Sequence, residues 1–168
     1  MNKFRTHTCA ELSEKDIGKN IFLSGWIHRK RDHGNLLFID LRDHYGVTQC
    51  VVENNDKSFP ILEKTRPESV VKISGKVVKR SLGTENLDLK TGKVEVSIKE
   101  VEILSEANEL PIPVFGEQDY PEDLRLKFRF LDLRRFEMQK NIILRSKVIS
   151  FIRNEMLKLG FLEYQTPI

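Results

Sequence analysis

Alternation of apolar and polar residues is clearest over residues 36–42. There Leu37, Ile39 and Leu41 fall on one face of an extended segment, and the large ring of Phe38 falls on the other. A period of two predicts a strand that buries one face in a core. The aliphatic residues make the natural core side, so we expect Phe38 on the outer surface of a sheet.

The same pattern, interrupted by turn residues, recurs through much of the chain. It predicts five strands, over residues 21–31, 36–42, 47–53, 69–79 and 93–104, with a short helix from Phe59 to Thr65 between the third and fourth. Gly25 indicates a bulge or sharp bend, and a slip of the apolar phase after Ile98 predicts an irregularity there. This order of elements is that of an OB-fold barrel, so the predicted fold class is mainly β.

The pattern changes after residue 105. Prolines at positions 111, 113 and 121 indicate an extended linker, and acidic residues after Pro121 begin a short helix. Residues 137–159 carry apolar side chains at helical spacing, and Gly160 is a suitable stop. Residues 161–168 then have the pattern of a strand with nothing to pair against, which predicts that the chain is part of something longer.

Three side chains of the predicted sheet can meet on its outer surface. Residues 32–35 and 44–46 are turn clusters, which would join the first strands into a meander. Gln49 has the opposite parity to the apolar positions of the third strand. If the sheet is antiparallel, Arg31, Phe38 and Gln49 can converge, and a guanidinium, a ring and an amide suit an unstacked nucleic-acid base.

Composition narrows the class of protein without naming a function. Of 168 residues, 32% are charged and 39% apolar, as in a soluble globular protein, and the net charge of +3 is only weak support for an anionic partner. Cys9 and Cys50 form no Cys-x-x-Cys motif, and the four histidines lack metal-ligand spacing, so no metal site is expected. The N-terminus lacks an apolar signal run and no window has membrane-spanning length, which favours a reducing cytoplasm.

Several strings, in order along the chain, resemble the N-terminal part of bacterial aspartyl-tRNA synthetases. They are GWIHRKRD at 25–32, FIDLRD at 38–43 and RFLDLRR at 129–135, followed by GFLE at 160–163 with Thr166 and Pro167, which resembles class II motif 1. The resemblance implies an anticodon-binding OB domain over residues 1–105, a linker or hinge over 106–135, and the truncated start of a class II catalytic domain over 136–168.

The resemblance also implies a function for the whole family member. That enzyme activates aspartate with ATP and magnesium and transfers it to tRNA(Asp), as a homodimer whose interface includes the long helix and the motif 1 proline, Pro167. The family motifs that bind ATP and magnesium would lie beyond Ile168. No catalytic residue, cofactor or aminoacylation activity is therefore expected in this chain alone.

Family positions assign roles to residues of the predicted barrel. Phe38 matches the aromatic that stacks on the central uracil of the anticodon, and Arg31 and Gln49 match the residues that hydrogen-bond it. Without the family, Phe38 could equally cover a sheet edge, and the other two could be solvated strand residues.

Further positions concern the neighbouring bases and the RNA backbone. Arg80 and Glu95 match positions near the first and third anticodon bases, and Asn86 is a weaker candidate in the same loop region. Arg29 and Lys30 would contact phosphate and contribute affinity without base choice. Each of these residues could instead be an ordinary solvated side chain.

Two turn residues bear on the choice between two tRNAs. The family varies at the positions of His33 and Gly83 between enzymes that read only tRNA(Asp) and enzymes that also charge tRNA(Asn). His with Gly resembles the relaxed form. The alternative to a synthetase is a freestanding OB module that binds single-stranded nucleic acid or protein.

Overall fold

The chain divides into two compact units, Met1–Leu110 and Pro111–Ile168. The computed structural model describes residues 3–81, 83–116, 119–165 and 167. The regular elements of the first unit follow the order β1 (Asn20–Asp32), β2 (Leu36–Arg42), β3 (Val47–Glu53), α1 (Phe59–Lys64), β4 (Val70–Lys79) and β5 (Val94–Ser105). The mainly β class, and the helix between the third and fourth strands, are confirmed.

Within the described residues the strands close into a barrel in the order β1-β2-β3-β5-β4, and β4 pairs back onto β1. The first three strands form the antiparallel meander that the turns predict, and β4 and β5 are also antiparallel. A short parallel contact closes the ring, where Cys50 and Val51 of β3 lie opposite Val96 and Ser97 of β5. This closure brings the residues just before Cys50 and Val96 side by side.

Inward-facing side chains of the strands fill the barrel. Burial alternates residue by residue along β2, where Leu37, Ile39 and Leu41 are at most 2% exposed and Phe38 is only half-buried. The other strands add β-branched and aliphatic residues to the same cluster: Ile21, Leu23, Ile27, Val52, Val71, Ile73, Val77, Val94 and Val96. Each buried aliphatic side chain contributes about 1.5–3 kcal/mol relative to exposure, so the barrel interior is the main source of stability.

Gly25 has a different role from the one its position in the pattern suggests. The register of β1 against β4 is regular at Gly25, which pairs with Val71, and the register of β1 against β2 shifts between Ile27 and Arg29, which places the bulge at His28. A Cβ atom on Gly25 would overlap the backbone carbonyl of Arg42. The glycine therefore permits close approach of two strands, and the prediction of a bulge there is wrong.

The predicted irregularity after Ile98 is present. Gly75 of β4 pairs with Ile98 of β5, while the preceding Ser74 pairs with Glu100. Lys99 is the extra residue, and this explains why the apolar phase slips at this point in the sequence.

The second unit contains α2 (Glu122–Lys127), α3 (Arg129–Asp132) and α4 (Phe136–Lys158). The carboxylate of Asp132 is completely buried and joins these helices. It accepts hydrogen bonds from Arg125 Nε over 3.1 Å and Arg129 Nη1 over 2.6 Å. Arg135, just before α4, lies 3.9 Å away on the same carboxylate.

The long predicted helix is confirmed as α4, whose 23 residues include none that is buried. The strand predicted from Phe161 is absent over the described residues 161–165. A strand exists only when its backbone is paired with a neighbour, and residues 161–165 pair with no other strand in the described part of the chain. Thr166 and Ile168, which belong to the same prediction, lie outside the described residues. No helix in the described ranges combines the length and apolar character of a membrane span.

Candidate nucleic-acid interface

Phe38 stands on the outer face of β2 with two side chains arranged around its ring. Arg31 is its partner in the β1–β2 register, and the guanidinium carbon lies 6.0 Å from the ring centroid. The imidazole of His33 packs edge-on against the ring, with centroids 5.4 Å apart and planes at 89°. The ring remains partly exposed, so it can still present a surface for stacking.

A chain of hydrogen bonds joins four polar side chains beside the Phe38 ring. Arg31 Nη2 donates to Asp40 Oδ1 over 2.8 Å and to Gln49 Oε1 over 3.0 Å. Gln49 Nε2 in turn donates to Glu95 Oε2 over 2.7 Å. A cation at one end and a carboxylate at the other give the Gln49 amide a defined orientation, with its oxygen toward Arg31 and its nitrogen toward Glu95.

One surface pocket of about 550 Å³ is bordered by Phe38 and by three of these polar groups, Arg31, Asp40 and Gln49. Its lining consists of Arg29, Arg31, His33, Leu36, Phe38, Asp40, Gln49, Arg80, Thr84, Asn86 and Leu89. The structure thus brings seven of the sequence-predicted site residues to one place, and hydrogen bonding attaches Glu95 to the same group. The strand parity that predicts the meeting of Arg31, Phe38 and Gln49 agrees with this geometry.

Arg80 is the most deeply buried cation of the pocket, at 4% exposure. Its Nε donates to the Val94 carbonyl over 3.2 Å and its Nη1 to the Thr84 carbonyl over 3.3 Å. Nη2 is buried and has no hydrogen-bond partner among the described residues, and the same is true of Arg31 Nε. Burial lowers the pKa of the Arg80 guanidinium, with Glu95 acting in the opposite direction. An acceptor on a ligand would satisfy these donors.

The connection between β4 and β5 forms the wall beyond Arg80. Asn86 lines the pocket, and its side-chain oxygen accepts from the Asp88 backbone N–H over 3.0 Å, which leaves the amide nitrogen available to a ligand. Gly83 lies in the same connection with φ of +82°, and it does not line the pocket. Open space surrounds the position where its Cβ would stand, so a larger residue there would be opposed by the backbone conformation alone.

Lys30 is held away from the pocket. It alternates with Arg29 and Arg31 along β1, and its ammonium group caps the end of α1 by donating to the carbonyls of Leu62, Glu63 and Thr65 over 3.2, 2.7 and 2.5 Å. Desolvation lowers its pKa. Because this ammonium group is engaged at a helix C-terminus and does not line the pocket, the phosphate role expected for Lys30 stays a prediction.

The remaining candidates lie outside the pocket or show no reactivity. Pro167 belongs to the second unit and is exposed. Cys9 and Cys50 are fully buried, and desolvation raises the pKa of both thiols, which makes them poor nucleophiles. Within the described ranges no group of three or more His, Cys, Asp or Glu side chains could hold a metal ion.

Asp40 is the functional candidate that the sequence pattern does not single out. Its alternation with Phe38 on the outer face of β2 is a signal that could have found it, because residues i and i+2 share a face of a strand. An acidic residue is not expected to bind an anionic ligand, so Asp40 becomes a functional candidate only when its ion pair with Arg31 is seen.

An aromatic face, oriented amide and carboxylate groups, and several guanidinium groups together can hold a flat heterocycle and the phosphates beside it. On an OB barrel this defines a nucleic-acid-binding module. Residues 21–104 match the family model described as the OB-fold nucleic acid binding domain, and the chain belongs to that family. Residues 121–168 match the model of class II tRNA synthetases (D, K and N).

Relatives of known identity extend the likeness to the whole chain. It is 62% identical to an Aspartate--tRNA(Asp/Asn) ligase of Pelagibacter ubique (strain HTCC1062) and 58% identical to one of Phenylobacterium zucineum (strain HLK1), over 100% of this chain and 28% of each relative. A solved structure of asparaginyl-tRNA synthetase from Pyrococcus horikoshii, complexed with asparaginyl-adenylate, aligns with TM-score 0.81 and 28% identity over 96% of this chain and 36% of that one. The resemblance to aspartyl-tRNA synthetases is confirmed, and the chain spans just over a quarter of the curated relatives' length.

Proposed function

We propose that this chain is the anticodon-binding N-terminal part of an aspartate–tRNA ligase and that its pocket holds the anticodon of tRNA(Asp). The observation that carries the proposal is the meeting of Arg31, Phe38 and Gln49 on one outer surface of the barrel. The printed names of relatives that match the whole chain support the choice of tRNA.

The central uracil of the anticodon stacks on Phe38 in this proposal. Its Watson–Crick edge presents acceptor, donor and acceptor in turn. The free N–H groups of Arg31 can donate to a carbonyl oxygen, and the second lone pair of Gln49 Oε1 can accept from the ring N–H. A central cytosine would turn an amino donor toward the Arg31 donors, so it should be rejected.

In the same proposal, residues around Phe38 contact the bases on either side of the central uracil. The free oxygen of Glu95 can accept from an amino group of guanine or cytosine, and the unpartnered donor of Arg80 can meet a base oxygen or a phosphate. The Asn86 amide nitrogen is a further donor. The exposed Arg29 side chain lies at the pocket edge and suits a backbone phosphate.

We extend the proposal to tRNA(Asn), whose anticodon differs from that of tRNA(Asp) at the third base. His33 packs against Phe38 and lines the pocket, so a change at His33 can alter how the anticodon loop lies on the ring. His33→Leu should favour tRNA(Asp) over tRNA(Asn). Equal loss of affinity for the two RNAs in a filter-binding assay would contradict this role.

The whole enzyme, in the same proposal, activates aspartate with ATP and magnesium and aminoacylates tRNA in the cytoplasm as a homodimer. The match of residues 121–168 to class II synthetases supports the catalytic class. α4 leaves apolar side chains such as Ile142, Ile149 and Met156 at least 40% exposed, and a dimer partner could cover them.

Binding of labelled anticodon stem-loops to the 168-residue chain tests the proposal, with fluorescence anisotropy as the readout. The stem-loop of tRNA(Asp) should bind more tightly than the same RNA with cytosine at the central position. Its affinity should also fall as salt is raised, because phosphate contacts release counterions. Equal affinity for all loop sequences would instead favour a freestanding OB module that does not read the anticodon.

A further inference from the structure

Asp40 occupies an unusual place for a carboxylate at a surface that binds a polyanion. In the sheet register it lies between Arg29 of β1 and Gln49 of β3. It also lines the pocket, and its side chain is only 16% exposed. A negative charge here repels RNA phosphates, so its presence opposes affinity unless it serves another purpose.

The contact with Arg31 indicates that purpose. Both protons of Arg31 Nη2 are engaged, one by Asp40 at 2.8 Å and the other by Gln49 at 3.0 Å. Asp40 supplies the charged acceptor of the two, and charge-assisted hydrogen bonds are about twice as strong as neutral ones. The Arg31 side chain is 38% exposed, so without Asp40 a long and flexible side chain would keep only a neutral hydrogen bond to Gln49 and its contact with the Phe38 ring.

We propose that Asp40 is a positioning residue for base recognition, which holds the Arg31 guanidinium against the Gln49 amide and beside the Phe38 ring without touching RNA itself. The inference rests on the proposed function. Selectivity for the central base then depends on Asp40, while affinity for RNA as such is reduced by it.

This division of roles gives Asp40→Asn an unusual signature. Loss of the carboxylate leaves one more uncompensated positive charge at the pocket, so RNA with a central cytosine should bind as tightly as before or more tightly. RNA with the central uracil should lose its advantage by roughly tenfold, the scale of one charge-assisted hydrogen bond. A purely structural role would weaken binding of both RNAs together.

Two further variants make the test independent of net charge and of folding. Asp40→Glu keeps the charge and displaces the carboxylate, so it should lower selectivity without strengthening binding of the central-cytosine RNA. Glu102→Gln is the matched control, because Glu102 forms a cross-strand ion pair with Lys72 on the barrel and does not line the pocket. It removes the same charge and should leave the ratio of affinities unchanged.

The test measures the affinity of the full chain for both stem-loops by anisotropy titration at two salt concentrations. Thermal unfolding is recorded for each variant. Reduced selectivity in Asp40→Asn and Asp40→Glu, with Glu102→Gln like the parent, supports the proposal. An unchanged ratio in both Asp40 variants refutes it, as does a parallel loss of binding and of thermal stability. The parent chain is titrated with both RNAs first. If it does not distinguish them, the proposed function is refuted and the inference with it.

Discussion

The ring of Phe38 offers the most direct test of where RNA binds. Phe38→Leu removes the aromatic face while retaining an apolar side chain on the outer side of β2. Stacking of a base on an aromatic side chain contributes about 1–3 kcal/mol, which corresponds to roughly a 5- to 150-fold loss of affinity. The cation and imidazole beside Phe38 would lose their common contact, so we expect the upper half of that range.

The chain contains a matched control for this change. Phe22 is also on the outer side of a strand, is 43% exposed, and has the Lys72 ammonium 5.5 Å from its ring centroid. Phe22→Leu therefore removes the same atoms from a similar environment that does not line the pocket. Both variants should unfold in urea within about 1 kcal/mol of the parent, since outer-face side chains contribute little to the core.

Anisotropy titration of the tRNA(Asp) anticodon stem-loop separates the two variants. Only Phe38→Leu should weaken binding, and it should weaken it most for RNA with the central uracil. Equal affinity of the two variants, with both still folded, would mean that the RNA does not stack on Phe38. The placement of the anticodon on this face of the barrel would then be wrong.

Three further changes probe the framework around the site. Lys30→Met removes the donor that caps α1 and should lower the free energy of unfolding in urea by roughly 1.5–3 kcal/mol, while the preference for a central uracil stays unchanged. Gly25→Ala forces a Cβ against the Arg42 carbonyl and should cost about 1–3 kcal/mol in the same assay, and wild-type stability of this variant would contradict the close approach. Burial, and after it the charge of Arg42, lower the pKa of His28. The stability that depends on a neutral His28 is therefore fully present above the unfolded-state pKa of about 6.5 and is lost as pH falls through the lower folded-state pKa. Unfolding free energies measured from pH 7 down to about 5 should therefore decline less steeply in His28→Gln than in the parent.

Strand parity predicts the composition of the interface because it is a local property of the backbone. Alternation over residues 36–42 places Phe38 outside, and the turn clusters place Arg31 opposite it, as the register shows. No knowledge of distant contacts is needed for this step. The same reasoning cannot assign a bulge to one residue, because Gly25 fits both a bulge and a close backbone approach.

Contacts that depend on distant segments are not visible in the pattern. Lys30 belongs to a basic run that suggests phosphate binding, and only the packing of α1 shows that its ammonium caps a helix. Glu95 reaches Gln49 because the barrel closes through a short parallel pairing of β3 with β5. Parallel pairing of segments so far apart leaves no signature in either strand.

The balance of charge at the pocket indicates what it is built to do. The guanidinium groups of Arg29, Arg31 and Arg80 line it, the carboxylate of Asp40 pairs with Arg31, and the charge of Glu95 acts on Arg80. A site that served only to attract RNA would leave all of its cations uncompensated, since each one adds to affinity regardless of sequence. Here the carboxylates instead fix a guanidinium and an amide in defined orientations, so that a mismatched base would leave buried polar groups unpaired. Under the proposed function, the pocket therefore gives up non-specific attraction in favour of selectivity, as expected of a site that distinguishes one anticodon from others carrying the same phosphates.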